Sequence, residues 1–480
     1  MSTAAKAISL HGLKRRALSL GAVKAFDHAV HFLLPIVLVR CLDAETFGEY
    51  RLLWLAVGTL MALANLNMGG GLYYFVPRSN AKKKRLYIHQ SLLYFGAAGL
   101  VCAFAVSPWN PLLPEAARPL EAYGALVPAF VGLWFVASLL DYLPTVEERI
   151  RLQGYATVSV SLLRTVLVGL GAWLTGSLQV ILWLLLALVV VKLSLLLAYV
   201  HRRHGLGRPW FDRALFAGQF RHCAPFGLSG ALYSLRGQAD QWIAASLFAL
   251  TSFAAFSIAA LVGQVVHIFR HSVMEAFLPS MSRMQAAGDL QGMVEMNRRG
   301  NVIVGVLLYP LLAAAFAFAE ELVSIVYTAA YLEAVPVMRV YIVAMAAMVI
   351  EMGSIVLLLR DGSFALRVTA LALTLSISTS WAGAHVLGLP GAAAGSVIAI
   401  YLERVLMLRR ISRRTGIGLA RVQDWSALGW ALATAAASAA LAWGAVHHFL
   451  ADGTPFVRVV AGSAVLAAAY ALLNLRRSLR

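Results

Sequence analysis

A chain of 480 residues that is 60% hydrophobic and only 13% charged falls outside the soluble class, in which about a quarter of residues are charged. Its mean hydropathy of +0.76 and its apolar runs of roughly 20 residues from end to end predict a polytopic helical membrane protein, and the short alternating segments of an outer-membrane barrel are missing. The net charge of +18 is spread over many small loops, which argues against a nucleic-acid surface and for charges that orient spans.

The first apolar run, 18–40, follows Lys14, Arg15 and Arg16. It is too long for a signal peptide and has no A-x-A cleavage site, so the expectation is a retained span. Within it, KAFDHAVHF (24–32) places Lys24, Asp27, His28 and His31 on one helical face. Lipid does not suit such a stripe, so it should face a water-filled path. Span 48–70 comes next and is closed by GGGLYYFVPR (69–78). Its glycines permit close packing or a break, its aromatic residues suit the interfacial belt, and Pro77 stops the helix. Asn65 and Asn67 in this span are read as helix–helix hydrogen-bonding groups.

Spans 87–107, 122–143, 155–175 and 178–200 follow, with Arg164 and Lys192 inside the last two. Span 222–248 holds Arg236 and Asp240 at i, i+4, a spacing that suits an ion pair. Span 252–275 bears a second polar stripe of His267, Arg270, His271 and Glu275. Spans 301–319, 337–359 and 364–386 come next, with Glu351 in the second of them. In span 391–408, Glu403 and Arg404 lie near the inner end, where long side chains reach the interface. Spans 426–446 and 457–475 bring the total to about fourteen spans.

Most of the 40 Lys and Arg residues fall in the tails and in alternate gaps, for example Arg78 with Lys82, Lys83, Lys84 and Arg85. Only Arg40, Arg51, Arg118, Arg339 and Arg458 fall on the other side. By the positive-inside rule both termini are expected in the cytoplasm. The Arg78–Arg85 cluster should orient the chain and attract anionic lipid head groups. Cys41, Cys102 and Cys223 sit in apolar context and read as core residues. Histidines three apart with one carboxylate are weak evidence for a metal, so neither a metal nor a cofactor is expected, while four in-span histidines leave proton coupling open.

A faint internal echo links TFGEY (46–50) with SFAAF (252–256), and VPR (76–78) with LPSMSR (278–283). It suggests two parallel six-helix halves with two helices appended. The expected division is 1–205, 206–415 and 416–480.

The stretch LPIVLVRCLDAETFGEYRLLWLAVGTLMALANLNMGGGLYYFVPR (34–78) resembles the opening of polysaccharide-export flippases of the multidrug/oligosaccharidyl-lipid/polysaccharide (MOP) exporter superfamily. The matching positions are Arg40, Leu42, Phe47, Gly48, Tyr50, Gly69 to Gly71 and Arg78. Residues 224–262 resemble the start of the family's second half, and Asp240 fills its acidic position. The resemblance covers roughly residues 10–410. It implies an all-α fold of two six-helix bundles around a central cavity that opens to alternate sides, here with two C-terminal helices in addition. Fourteen spans also resemble the lipid II flippase branch, where the last two helices border a groove for the lipid tail.

The function this implies is movement of a polyprenyl-diphosphate-linked oligosaccharide to the outer leaflet of a bacterial plasma (inner) membrane, for surface polysaccharide such as lipopolysaccharide or exopolysaccharide. Expected partners are the lipid-linked oligosaccharide, membrane lipids and a polysaccharide polymerase or export machinery. Cavity candidates are Lys24, Asp27, His28, His31, Arg164, Arg236, Asp240, His267, Arg270 and His271. Arg and Lys suit diphosphate oxygens, the more so at low dielectric. Two readings compete: a cation-coupled multidrug antiporter on the same fold, and a polyprenyl-dependent glycosyltransferase, polymerase or ligase. The short outer loops disfavour an enzyme, and the chain has no GxxxxGK[ST] loop.

Overall fold

The computed structural model describes residue 30, residues 33–205 and residues 207–478. Among these residues there are helices, short 3-10 turns and loops, and no strand. Ten helices are long and apolar enough to cross a membrane among the described residues. Two compact units are present, divided between Ser234 and Leu235.

Unit 1 begins with residues 33–41 (α1), then Ala44–Asn65 (α2), Met68–Phe75 (α3), Ala81–Ala105 (α4), Leu126–Ala137 (α5), Leu143–Val146 (α6), Ile150–Thr175 (α7) and Leu178–His204 (α8). The 35-residue Arg213–Leu247 (α9) begins in unit 1 and ends in unit 2. Asp43 caps α2, its carboxylate accepting from the amides of Glu45 and Thr46. Burial of Phe47, Phe95, Phe130 and Phe135 builds the core. Outward faces keep Leu100, Trp173 and Leu174 exposed, as a lipid solvent allows.

Expected span 48–70 is interrupted. Leu66 and Asn67 adopt left-handed φ of 43° and 56° between α2 and α3. The Tyr94 hydroxyl donates to the freed Ala64 carbonyl at 2.6 Å. Asn65 reaches the Tyr142 hydroxyl at 3.2 Å, an inter-helix bond of the kind the sequence suggests. Gly227 of α9 packs on the backbone of Leu66, where a Cβ would overlap the main chain. Gly69 and Gly71 likewise lie against the Tyr142 ring and Cys223.

Unit 2 continues with Leu250–Ala260 (α10), Val262–Ala286 (α11), Leu290–Ala317 (α12), Ala319–Val326 (α13), Ala334–Met348 (α14), Gly353–Leu358 (α15), Gly362–Leu387 (α16), Leu389–Thr415 (α17), Leu419–Val422 (α18), Trp425–Phe449 (α19) and Pro455–Ser478 (α20). Expected spans 252–275 and 337–359 are thus each divided, at Leu261 and at Val349–Met352. Expected span 18–40 lies largely outside the described residues. The last two helices pack on the end of α12 through Phe318, Ala439, Ala442, Val446 and Leu466.

The same backbone pattern occurs in each unit. The hairpins α7–α8 and α16–α17 are 26 and 27 residues long in both cases. They turn at Gly176 and Gly388 and end at Gly205 and Gly416, all with positive φ. A non-glycine residue in the left-handed region precedes each hairpin, Glu148 (φ 59°) and Arg360 (φ 57°).

Candidate functional site

The described in-membrane cations of unit 1 stand on an aromatic ladder. Trp54 of α2 meets Trp134 of α5 edge-on at 5.4 Å between centroids. Arg164 of α7 is 5% exposed and its guanidinium lies 5.6 Å from the Trp54 ring centre. Lys192 of α8 lies 5.0 Å from the Trp134 centre, with Nζ 2.8 Å from Asp141. An indole face attracts a cation more strongly as both lose water. Sequence reasoning missed Asp141. The signal was present as an acid near the inner end of one span, with a lysine buried in another.

At the basic end of unit 1 a second ionic group joins the helix ends. Glu147 follows α6 and lies 2.8 Å from His204 and 3.7 Å from Arg203 at the end of α8, and it accepts from the Tyr199 hydroxyl. Burial alone would raise this carboxyl. The bonds from His204 and Tyr199, with the charge of Arg203, overcome that and hold it down at about 2. Unit 2 repeats the device. Asp361 precedes α16 and takes a bidentate pair of bonds from Arg410 of α17, both 2.8 Å, with Arg414 at 3.3 Å. These bonds lower the Asp361 carboxyl.

In unit 2 the pairing expected within one helix is replaced by pairing across helices. Arg236 lies 3.3 Å from Glu403 of α17. Asp240 accepts from the Tyr341 hydroxyl of α14 at 2.7 Å and the Ser396 hydroxyl of α17 at 2.6 Å. All three side chains of that cluster are buried. Glu403 and Arg404, expected near the inner end of their span, both have partners within unit 2. Glu403 is buried and Arg404 donates to the Ile350 carbonyl at 3.1 Å. A charged group out of water takes a polar partner, as Glu403 does in Arg236.

Arg270 also has a structural partner. Its Nη1 donates to the Met348 carbonyl at 3.1 Å, at the end of α14. The break at Val349–Met352 is thus held by two guanidinium groups and by Asn301 of α12. The Asn301 amide accepts from the Glu351 backbone N–H at 3.0 Å and donates to its carbonyl at 3.2 Å. Asn297 and Gln423 complete a buried network around it. An interrupted helix in a membrane needs such replacements for its lost backbone bonds.

Between α12, α14, α17 and α19 runs a groove of about 870 Å³. Leu312, Phe316, Ile342, Val343, Leu432 and Trp443 line it. Its tyrosines turn their hydroxyls into the walls, Tyr309 to the Ala346 carbonyl and Tyr401 to that of Val343. Arg339 lines it as well, with its guanidinium 5.7 Å from the Phe316 ring and 3.5 Å from Glu320. The groove is apolar, and Arg339 is the one cation among its described lining residues.

The structure brings Arg236 and Asp240 together with α17, and sets Arg164 and Arg270 on separate supports. Lys24, Asp27, His28 and His31 lie outside the described residues, as do the side chains of His267, His271 and Glu275. Among the described residues no group of three or more His, Cys, Asp or Glu is placed to hold a metal ion.

Comparison with solved structures shows the fold. An inward-facing multidrug resistance MATE family transporter of the MOP superfamily aligns with a TM-score of 0.64 and 13% identity, over 81% of this chain and 95% of that one. The MATE multidrug transporter DinF-BH aligns at 0.59 and 14% identity, over 89% of this chain and 100% of that one. An outward-facing multidrug resistance MATE family transporter aligns at 0.54 and 16%, over 84% and 97%. Among curated protein sequences none matches this chain at a significant level. The family model described as polysaccharide biosynthesis protein matches residues 13–285, more than half of the sequence. With that match over more than half of its length, the chain belongs to the family described as polysaccharide biosynthesis protein.

Proposed function

We propose that the chain is an alternating-access flippase that moves a polyprenyl-diphosphate-linked oligosaccharide from the inner to the outer leaflet of a bacterial inner membrane, with both termini cytoplasmic. The carrying observation is the unit 2 groove, an apolar trough with one arginine among its lining residues. An isoprenoid tail matches its walls, and a diphosphate matches a guanidinium. Family membership supports a polysaccharide precursor as cargo. The buried cations Arg164 and Arg270 fit an anionic head group better than a cationic drug, which ranks the multidrug antiporter second despite the shared fold. The fold shared with transporters supports transport over a glycosyltransferase or a ligase.

The test depletes the protein in its host and measures polyprenyl-diphosphate-linked glycans by mass spectrometry, with a probe for the leaflet they occupy. Depletion should trap the lipid on the inner leaflet. Filling the groove by Ala436→Trp with Ala440→Trp should do the same at unchanged protein level. An unaltered lipid pool and surface glycan after depletion would reject the reading.

A further inference from the structure

A pocket of about 530 Å³ opens at the basic end of unit 1, lined by Ala81, Lys82, Lys84, Arg85, Glu147, Arg203 and His204. We infer that it binds the phosphate group of an anionic lipid at the membrane surface. The site needs no particular transport cargo.

The charges come first. Glu147 is the sole acid among the described lining residues. It is already engaged by His204, Tyr199 and Arg203. Lys82, Lys84 and Arg85 are then left in excess, and the N-terminus of the 25-residue α4 at Ala81 adds its partial positive charge. An anion with several acceptor oxygens answers that surplus, as phosphate does.

The walls are built. Arg85 donates to the Arg208 carbonyl at 3.2 Å, which ties the segment after α8 to α4. One turn further along α4, His89 Nε2 lies 2.9 Å from the Gly205 carbonyl oxygen and its ring stacks on Trp210 at 4.6 Å. The Glu147–His204 contact closes the opposite wall. The cations are therefore presented from elements fixed to one another.

The level of the pocket selects a lipid. Three candidate membrane-spanning helices end at its rim: Leu126–Val146 just before Glu147, Leu178–His204 at His204, and Ala81–Ala105, whose apolar body begins after Arg85. Head-group phosphates lie at this height, and a basic residue near such a surface attracts anionic lipid.

The experiment is native mass spectrometry of the full chain in detergent, titrated with phosphatidylglycerol, phosphatidylcholine and inorganic diphosphate. Lys82→Ala with Lys84→Ala should weaken phosphatidylglycerol binding about thirtyfold, from the usual contribution of two surface cations. Lys83→Ala, outside the pocket lining, should weaken it by about fivefold or less, the contribution of one surface cation. Phosphatidylcholine should bind less tightly than phosphatidylglycerol, and diphosphate should displace the latter. Equal binding of the two lipids, or equal loss with Lys83→Ala, would overturn the site. Diphosphate binding without phosphatidylglycerol binding would overturn the lipid as its source. Melting temperatures of the variants within about 2 °C of the unmodified protein keep folding out of the comparison.

Discussion

Glu403→Gln should destabilise unit 2, because it removes the charge of a buried ion-pair partner of Arg236. The two side chains are only 9% and 11% exposed and meet at 3.3 Å. At an effective dielectric of about 20 the attraction at that distance is roughly 5 kcal/mol. Desolvation of both ions offsets much of it, so the pair itself contributes little net stability, while removing one partner costs about 3–5 kcal/mol. For a unit of this size that is a fall of roughly 6–20 °C in melting temperature. Arg236→Met with Glu403→Met removes both charges and should return to within about 2 kcal/mol of the original. The assay is a double-mutant cycle of the original protein, Arg236→Met, Glu403→Met and the double variant, by thermal unfolding in detergent. If the double variant loses the sum of the two single losses, the pair is not coupled and the reasoning fails.

Gly227→Ala should destabilise unit 1 by more than about 2 kcal/mol, since its Cβ has no space beside Leu66, whereas Gly230→Ala, in open space on the same helix, should stabilise by about 0.5–1 kcal/mol; melting curves separate the two. Glu147 has a depressed carboxyl, so its contribution is full above its ordinary value near 4.5 and fades as pH falls towards about 2. Glu147→Gln should flatten the melting-temperature profile in that window, and an unchanged slope would count against the His204 and Tyr199 bonds. Asn301→Ala leaves two backbone groups of Glu351 without their partner and should cost about 2–4 kcal/mol, readable by denaturation. Arg270→Ala should reduce surface polysaccharide while membrane insertion, checked by fractionation, is retained.

The apolar runs were the legible part. Expected spans 155–175, 178–200, 364–386 and 391–408 correspond to α7, α8, α16 and α17 with shifts of a few residues at the ends, because hydropathy falls away at Gly176, Gly205, Gly388 and Gly416. The breaks were not legible. ANLNMG and VIEMGS contain no proline, and both interruptions are stabilised by groups far along the chain, Tyr94 in one and Asn301, Arg270 and Arg404 in the other. Site residues followed the same division. Periodicity located Arg236, Asp240 and Arg270 inside spans, and the family pattern marked Asp240 as special. Their partners Glu403, Tyr341, Ser396 and Met348 lie on other helices, which spacing rules along one helix do not see.

Two hairpins of matching length, each entered through a left-handed non-glycine residue and each tied by an acid to the foot of its second helix, show that one main-chain path can be held by different side chains. Counted along the second helix, Arg203 and Arg414 hold the same place beside the acid, while Tyr199 stands where Arg410 does. The turns and the polarity of the tie are the same in both. Each hairpin then suggests an exchange for the other: Tyr199→Arg places in the first the group that Arg410 supplies in the second.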